Sequence, residues 1–77
     1  MKLKLLDTIV LRKNIPKYNL YSGDMGTIVE VYAPKVFEVE FICADGHTQS
    51  LQTLNQDDIR PISGSDVLSV RSLNEAA

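Results

Sequence analysis

The run Val36-Phe-Glu-Val-Glu-Phe-Ile42 constrains this chain more than any other stretch. Phe37, Val39 and Phe41 alternate with Glu38 and Glu40. Successive side chains of a strand point to opposite faces. The spacing therefore puts three apolar residues on one sheet face and two acids on the other. Ala44-Asp45-Gly46-His47 follows, and Asp-Gly favours the tight turns that join twisted antiparallel strands. A half-buried antiparallel strand leading into a hairpin is thus the first fixed point of the fold.

The rest of the chain extends that pattern. Thr8 to Leu11 are good β-formers and make a first strand. Pro16 ends regular pairing because it has no N–H to donate. Residues 14–24, with Asn, Pro, Ser and Gly, read as a long loop anchored by Ile15, Tyr18, Leu20 and Tyr21. Met25 to Tyr32 give the second strand, and Ala33-Pro-Lys35 a short hairpin connection to the third. Thr48 to Leu54 form a fourth strand. Asn55-Gln-Asp-Asp58 suits one 3₁₀ turn. Ile59 to Ile62 make a short last strand, which Pro61 confines to an edge or a chain end. Five short strands in this order predict an all-β fold, a small SH3-like barrel over residues 1–62. Residues 63–77 then form a linker and C-terminal tail. Val67, Leu68, Val70 and Leu73 are spaced for a short helix, with Asp66 as its cap and Arg71 in its last turn. Alone, such a helix is marginal in water and would fray or dock on a partner. The predicted core is Ile9 or Val10, Leu11, Leu20, Ile28, Val31, Phe37, Val39, Phe41, Leu51, Leu54 and Ile59. A bulge in the second strand would let both Ile28 and Val31 point inward.

At 77 residues the chain makes one small domain with a thin core. Cys43 is the only cysteine and His47 the only histidine, so neither a disulfide within the chain nor a Cys/His metal cluster supports it. No cofactor is expected. Association with a protein partner, or with a second copy, is the remaining source of support. A formal net charge of −2 argues against non-specific nucleic-acid binding, which relies on clustered Lys and Arg. No run reaches membrane-spanning length, and the N-terminal start is too short for a signal peptide. With one unpaired cysteine, these features predict a soluble cytoplasmic protein.

Several residue groups are candidate sites. Gly23-Asp24-Met25-Gly26 lacks the further glycines, the lysine and the following helix of a phosphate loop. It reads as a turn needing permissive backbone at Gly23 and Gly26. Glu30, Glu38 and Glu40 form an acidic sheet face. Acid–base catalysis needs a cleft that shifts one carboxyl, and an open sheet face rarely supplies one. The alternatives are a solvated face or a docking face for a basic partner. Lys2, Lys4, Arg12, Lys13 and Lys17, with Tyr18 and Tyr21, make a basic-aromatic patch of the kind single-strand binders use. A proline-peptide groove would want a tryptophan, and the chain has none. Cys43 and His47 lie across a turn, but no third orienting group is evident, so no catalysis is expected. The candidate partner-binding residues are Tyr18, Tyr21, Asp24, Glu30, Glu38 and Glu40. Of these, Tyr21, Asp24 and Glu30 are the ones that the turn and second strand leave free.

The segments LLDTIVL, GDMGTIVEVY, FEVEFICADGHTQSLQTL and DDIRPI, in this order, resemble a family of short bacterial proteins known only as a domain of unknown function. The resemblance covers about residues 5–62. It implies an SH3-like barrel and brings no catalytic residues. Some members lie beside genes for toxin-like or phage-related proteins, which implies an antitoxin or immunity role. A wider resemblance is to KOW-type barrels of ribosomal and transcription proteins, which place a GxxG turn before a valine-rich strand. Those barrels usually carry basic loops, whereas this chain has acids at Asp24, Glu30, Glu38 and Glu40. Two functions follow. One is a non-catalytic protein-binding module that blocks a basic partner. The other is a small KOW-like nucleic-acid binder using Lys13, Lys17 and Tyr18.

Overall fold

The computed structural model describes residues 2–73. Five antiparallel strands form one sheet: β1 (Thr8–Leu11), β2 (Met25–Ala33), β3 (Val36–Ile42), β4 (Thr48–Asn55) and β5 (Ile59–Pro61). Their spatial order is β4-β3-β2-β1-β5. Each strand pairs with its successor until β5, which returns across the molecule to pair with β1. Short 3₁₀ turns occupy Pro16–Tyr18 and Gln56–Asp58. The second joins the two outer strands of the sheet, and its cap is reciprocal. The Asn55 side chain accepts from the Asp57 N–H at 2.8 Å, and the Asp58 carboxylate accepts from the Asn55 N–H at 3.1 Å. The all-β fold and the order of its elements are those expected from the sequence. Among the described residues no ladder joins β4 to β5.

The core lies on one face of the sheet. Phe37, Val39 and Phe41 of β3 are buried together with Ile9, Leu11, Ile28, Leu54 and Ile59 from the other strands. Leu20 from the long loop and Leu3 from the N-terminal segment close the ends. Each such side chain contributes roughly 1.5–3 kcal/mol when fully buried. Leu3 was not expected in the core, because nothing local distinguishes it from the exposed Leu5 and Leu6.

Two expected core residues are outside. The register of β2 on β3 steps between Ile28 and Glu30, so the anticipated bulge exists. Ile28 faces Val39 and Val31 faces Phe37, both on the core side. Val31 nevertheless stays 40% exposed. β1 covers β2 only from Met25 to Thr27, and the last backbone bonds on that side are made at Ile28 by Leu6 and Asp7, just before β1. Past that point β2 and β3 project without a neighbour on the β1 side. Leu51 is 52% exposed for a simpler reason. It pairs with Glu40 while Leu54 pairs with Phe37. Residues three apart in a strand lie on opposite faces, so only one of the two leucines can enter the core.

The tail is the larger correction. No helix forms over residues 63–73. Ser63 to Asp66 make a turn, in which the Asp66 N–H donates to the Ser63 carbonyl and the Asp66 carboxylate accepts from the Ser63 N–H. Residues 67–73 then run irregularly over the outer face of the sheet. Val67 and Leu68 line a shallow cavity with Val10, Met25, Arg60 and Ile62. Val10 pairs with Met25 and Arg60, lies outside the core cluster, and is buried under this cover. The helical spacing has no packed face to support it, because Val67 and Val70 are 90% and 99% exposed. The intended cap, Asp66, and the intended last-turn cation, Arg71, are both engaged by the sheet and its loops.

Candidate functional site

The six candidate residues separate into two surfaces. Glu30, Glu38 and Glu40 share the outer face of the β2–β3–β4 ribbon. Glu30 and Glu38 are direct cross-strand partners, an arrangement in which like charges repel. Thr53 Oγ1 donates to Glu38 Oε1 at 2.8 Å, and Thr48 Oγ1 donates to Glu40 Oε2 at 2.6 Å. The Val31 N–H donates to Glu30 Oε1 at 3.2 Å. Among the described residues none of the three glutamates has an ion-pair partner. Ile42 and Leu51 lie exposed beside them.

Tyr21 and Asp24 sit at the other end of β2 and are not free. Asp24 closes a four-residue turn: its N–H donates to the Tyr21 carbonyl at 3.0 Å and its Oδ2 accepts from the Tyr21 N–H at 2.8 Å. Arg71 of the tail then forks onto the same carboxylate, Nε to Oδ1 at 2.9 Å and Nη2 to Oδ2 at 2.6 Å. Its Nη2 also donates to the Asn19 carbonyl at 2.7 Å, and the guanidinium lies 5.1 Å from the Tyr21 ring centroid. Partial burial pushes the Asp24 carboxyl up, but hydrogen bonds from Arg71 and from the Tyr21 N–H outweigh it and hold the group below the ordinary range.

The Tyr21–Asp24 turn is one of four built alike. In Lys4–Asp7, Tyr21–Asp24, Asn55–Asp58 and Ser63–Asp66 the closing carboxylate accepts the N–H three residues earlier. Each also holds a cation: Lys4 on Asp7, Arg71 on Asp24, Lys13 on Asp58 and Arg60 on Asp66. Hydrogen bonds from Arg60 first, and then from the Ser63 N–H, pull the Asp66 carboxyl down to about 2. The signal in the sequence is a short polar or glycine-bearing turn ending in Asp, as in Tyr-Ser-Gly-Asp and Ser-Gly-Ser-Asp. It shows the turn but, outside Lys4–Asp7, not which cation arrives.

A family model described as a domain of unknown function, DUF4926, matches residues 5–61. The chain belongs to this family. No curated protein and no solved structure matches it. The DUF4926 match spans all five strands, the three sheet glutamates, and Asn19, Tyr21 and Asp24. It ends before Asp66 and Arg71.

The remaining candidates of the DUF4926 domain are dispersed. Lys4 and Lys13 of the expected basic patch are committed to turn aspartates. Tyr18 lies exposed in the first 3₁₀ turn, with Lys17 Nζ 5.4 Å from its ring centroid and its carbonyl bonded to Gln49 Nε2 at 2.8 Å. The His47 ring engages the Asp45 carboxylate, which the His47 backbone N–H holds low, ahead of the ring itself. No hydrogen bond joins His47 to the Cys43 thiol. Among the described residues no three His, Cys, Asp or Glu side chains group as metal ligands, and no helix is long and apolar enough to cross a membrane.

Proposed function

We propose that this chain is a non-catalytic protein-binding module that docks a basic partner on its acidic sheet face. The role implied by the family resemblance, an antitoxin or immunity partner of a neighbouring gene's product, is the form proposed for it. One observation carries the reading: the four turn aspartates all hold cations, while among the described residues Glu30, Glu38 and Glu40 hold none. A cationic surface would relieve the repulsion between Glu30 and Glu38, and the exposed Ile42 and Leu51 would add apolar contact. The soluble, cytoplasmic setting expected from the sequence is part of the same proposal.

The test is binding of the product of the adjacent gene by the full chain and by a variant with all three glutamates changed to glutamine. Glutamine keeps an acceptor for the threonine hydroxyls and removes the charge, so the fold is retained. The variant is expected to bind at least tenfold more weakly, about 1.4 kcal/mol, and the native affinity to fall with added salt. Co-expression should rescue growth if that product is toxic. Equal binding by the two proteins would sink the acidic-face reading, and failure to rescue would remove the antitoxin form. The alternative, a KOW-like nucleic-acid binder, predicts a salt-sensitive anisotropy shift with RNA or DNA that Lys17→Ala weakens. It has less support, since Lys13 is already paired with Asp58.

A further inference from the structure

We propose that Asn19, Tyr21 and Asp24 form an arginine-binding site, which the chain's own Arg71 fills and which exchanges it for an arginine of a protein partner. The inference stands on different residues from the acidic face and does not depend on that reading.

The site recognises a guanidinium in three ways. The Asp24 carboxylate takes two parallel N–H donors on one edge. The Asn19 carbonyl takes a further donor, with the Asn19 side-chain oxygen 3.4 Å from Nη1. The Tyr21 ring takes the flat face. A lysine ammonium is a point charge that can neither fork nor stack, so the geometry selects arginine.

The site is built without help from the tail. Asn19 stands in the left-handed region (φ 55°, ψ 41°), which turns its carbonyl toward the site, and its N–H is bonded to the Pro16 carbonyl. The Tyr21 N–H fixes the Asp24 carboxylate. Leu11 of β1 brackets the turn, with its carbonyl accepting from Gly23 and its N–H donating to the Asp24 carbonyl, both at 2.8 Å. Asn14 Oδ1 accepts from the Ser22 N–H. None of these bonds involves Arg71.

The occupant, by contrast, is loosely held. Val67 and Val70 are almost wholly exposed, Leu68 is mostly so, and only Leu73 is more than half covered, so residues 67–73 have little apolar burial to set against the entropy of ordering them. Its root is held separately by the Arg60–Asp66 fork, so Arg71 can leave while the Ser63–Asp66 turn stays in place. The family match includes the site and ends ten residues before its occupant. A flexible tether presents its ligand at an effective concentration on the order of millimolar. A partner's arginine therefore needs additional contacts to displace it, and the tail sets that threshold.

The test uses the full chain with Arg71→Ala, to vacate the site, and two synthetic peptides. One copies residues 67–73 and the other carries lysine in place of its arginine. Backbone amide signals of Asn19, Tyr21 and Asp24 are followed by NMR up to about 5 mM peptide, a range set by the tether's effective concentration. The arginine peptide is expected to shift them saturably in Arg71→Ala, at least tenfold more tightly than the lysine peptide and at least tenfold more tightly than in the native chain. Adding Asp24→Asn should abolish the response. Equal responses to the two peptides, equal responses in native and vacated chains, or persistence after Asp24→Asn would each overturn the proposal. If Arg71→Ala does not fold, Arg71→Gln is used. Failure of both to fold also overturns it, because a site built without the tail cannot require Arg71.

Discussion

Gly26 stands where the sheet leaves no room for a side chain. It pairs with Ile9, and a Cβ built there would lie 2.6 Å from Val39 Cγ1 and 3.1 Å from the Glu40 carbonyl oxygen. Its backbone is not in the left-handed region. That condition belongs to Gly23 at φ 101°, so the permissive-backbone reading holds for one glycine of the Gly-Asp-Met-Gly motif and not the other. Gly26 is there for space. Gly26→Ala is expected to lower stability by about 1–3 kcal/mol, seen as a lower urea midpoint at unchanged slope. Leu6 shows the opposite case. It is exposed yet held at φ 71°, a conformation that costs a non-glycine residue roughly 1–2 kcal/mol. Leu6→Gly releases that strain at some cost in chain entropy and should raise the urea midpoint by up to about 1 kcal/mol equivalent; a lower midpoint would contradict the strain. Neither residue's role is legible in the sequence, because neither the strand lying opposite a glycine nor a backbone angle is written in the local pattern.

The strands were legible because their information is local. Alternation in Phe37, Val39 and Phe41 and the Asp45-Gly46 turn need no knowledge of the rest of the chain. The tail was not, since the same apolar spacing suits a helix until Arg60, six residues before Asp66, and Asp24, 47 residues before Arg71, supply partners. Those partners make the tail acid-sensitive. Asp24 and Asp66 both have carboxyls held below their ordinary range when the tail is docked. A depressed carboxyl contributes stability that is complete above its unfolded pKa, about 3.9, and is lost as pH falls through its folded value. For Asp66 the window extends from there down to about 2. As pH is lowered from 4 to 2 the tail should detach, releasing the Tyr21 ring signals from Arg71 and speeding amide exchange over residues 63–73. A tail still docked at pH 2 would show that its clamps do not depend on these charges.

Across the whole molecule the charges are sorted by position. Asp7, Asp24, Asp58 and Asp66 close turns and hold cations; among the described residues Glu30, Glu38 and Glu40 line the outer face of β2 and β3 and hold none. A net charge of −2 conceals this, and so the acidic strip was visible in the sequence as a face but not as a set of carboxylates without ion pairs among the described residues. The strand order carries a different consequence. The short β5 is an outer strand held to the sheet by β1, and beyond it the tail is fastened through Arg60 and Arg71. A pull on the C-terminus therefore meets these fastenings in series. The Arg71 fork gives first, then the Arg60 fork, and then three residues unzip pair by pair from an edge, with no long strand sheared against its neighbours. The chain thus offers little mechanical resistance from that end. A machine that grips the tail would expose β1, and with it the inner face of the core, before the central hairpins feel any load.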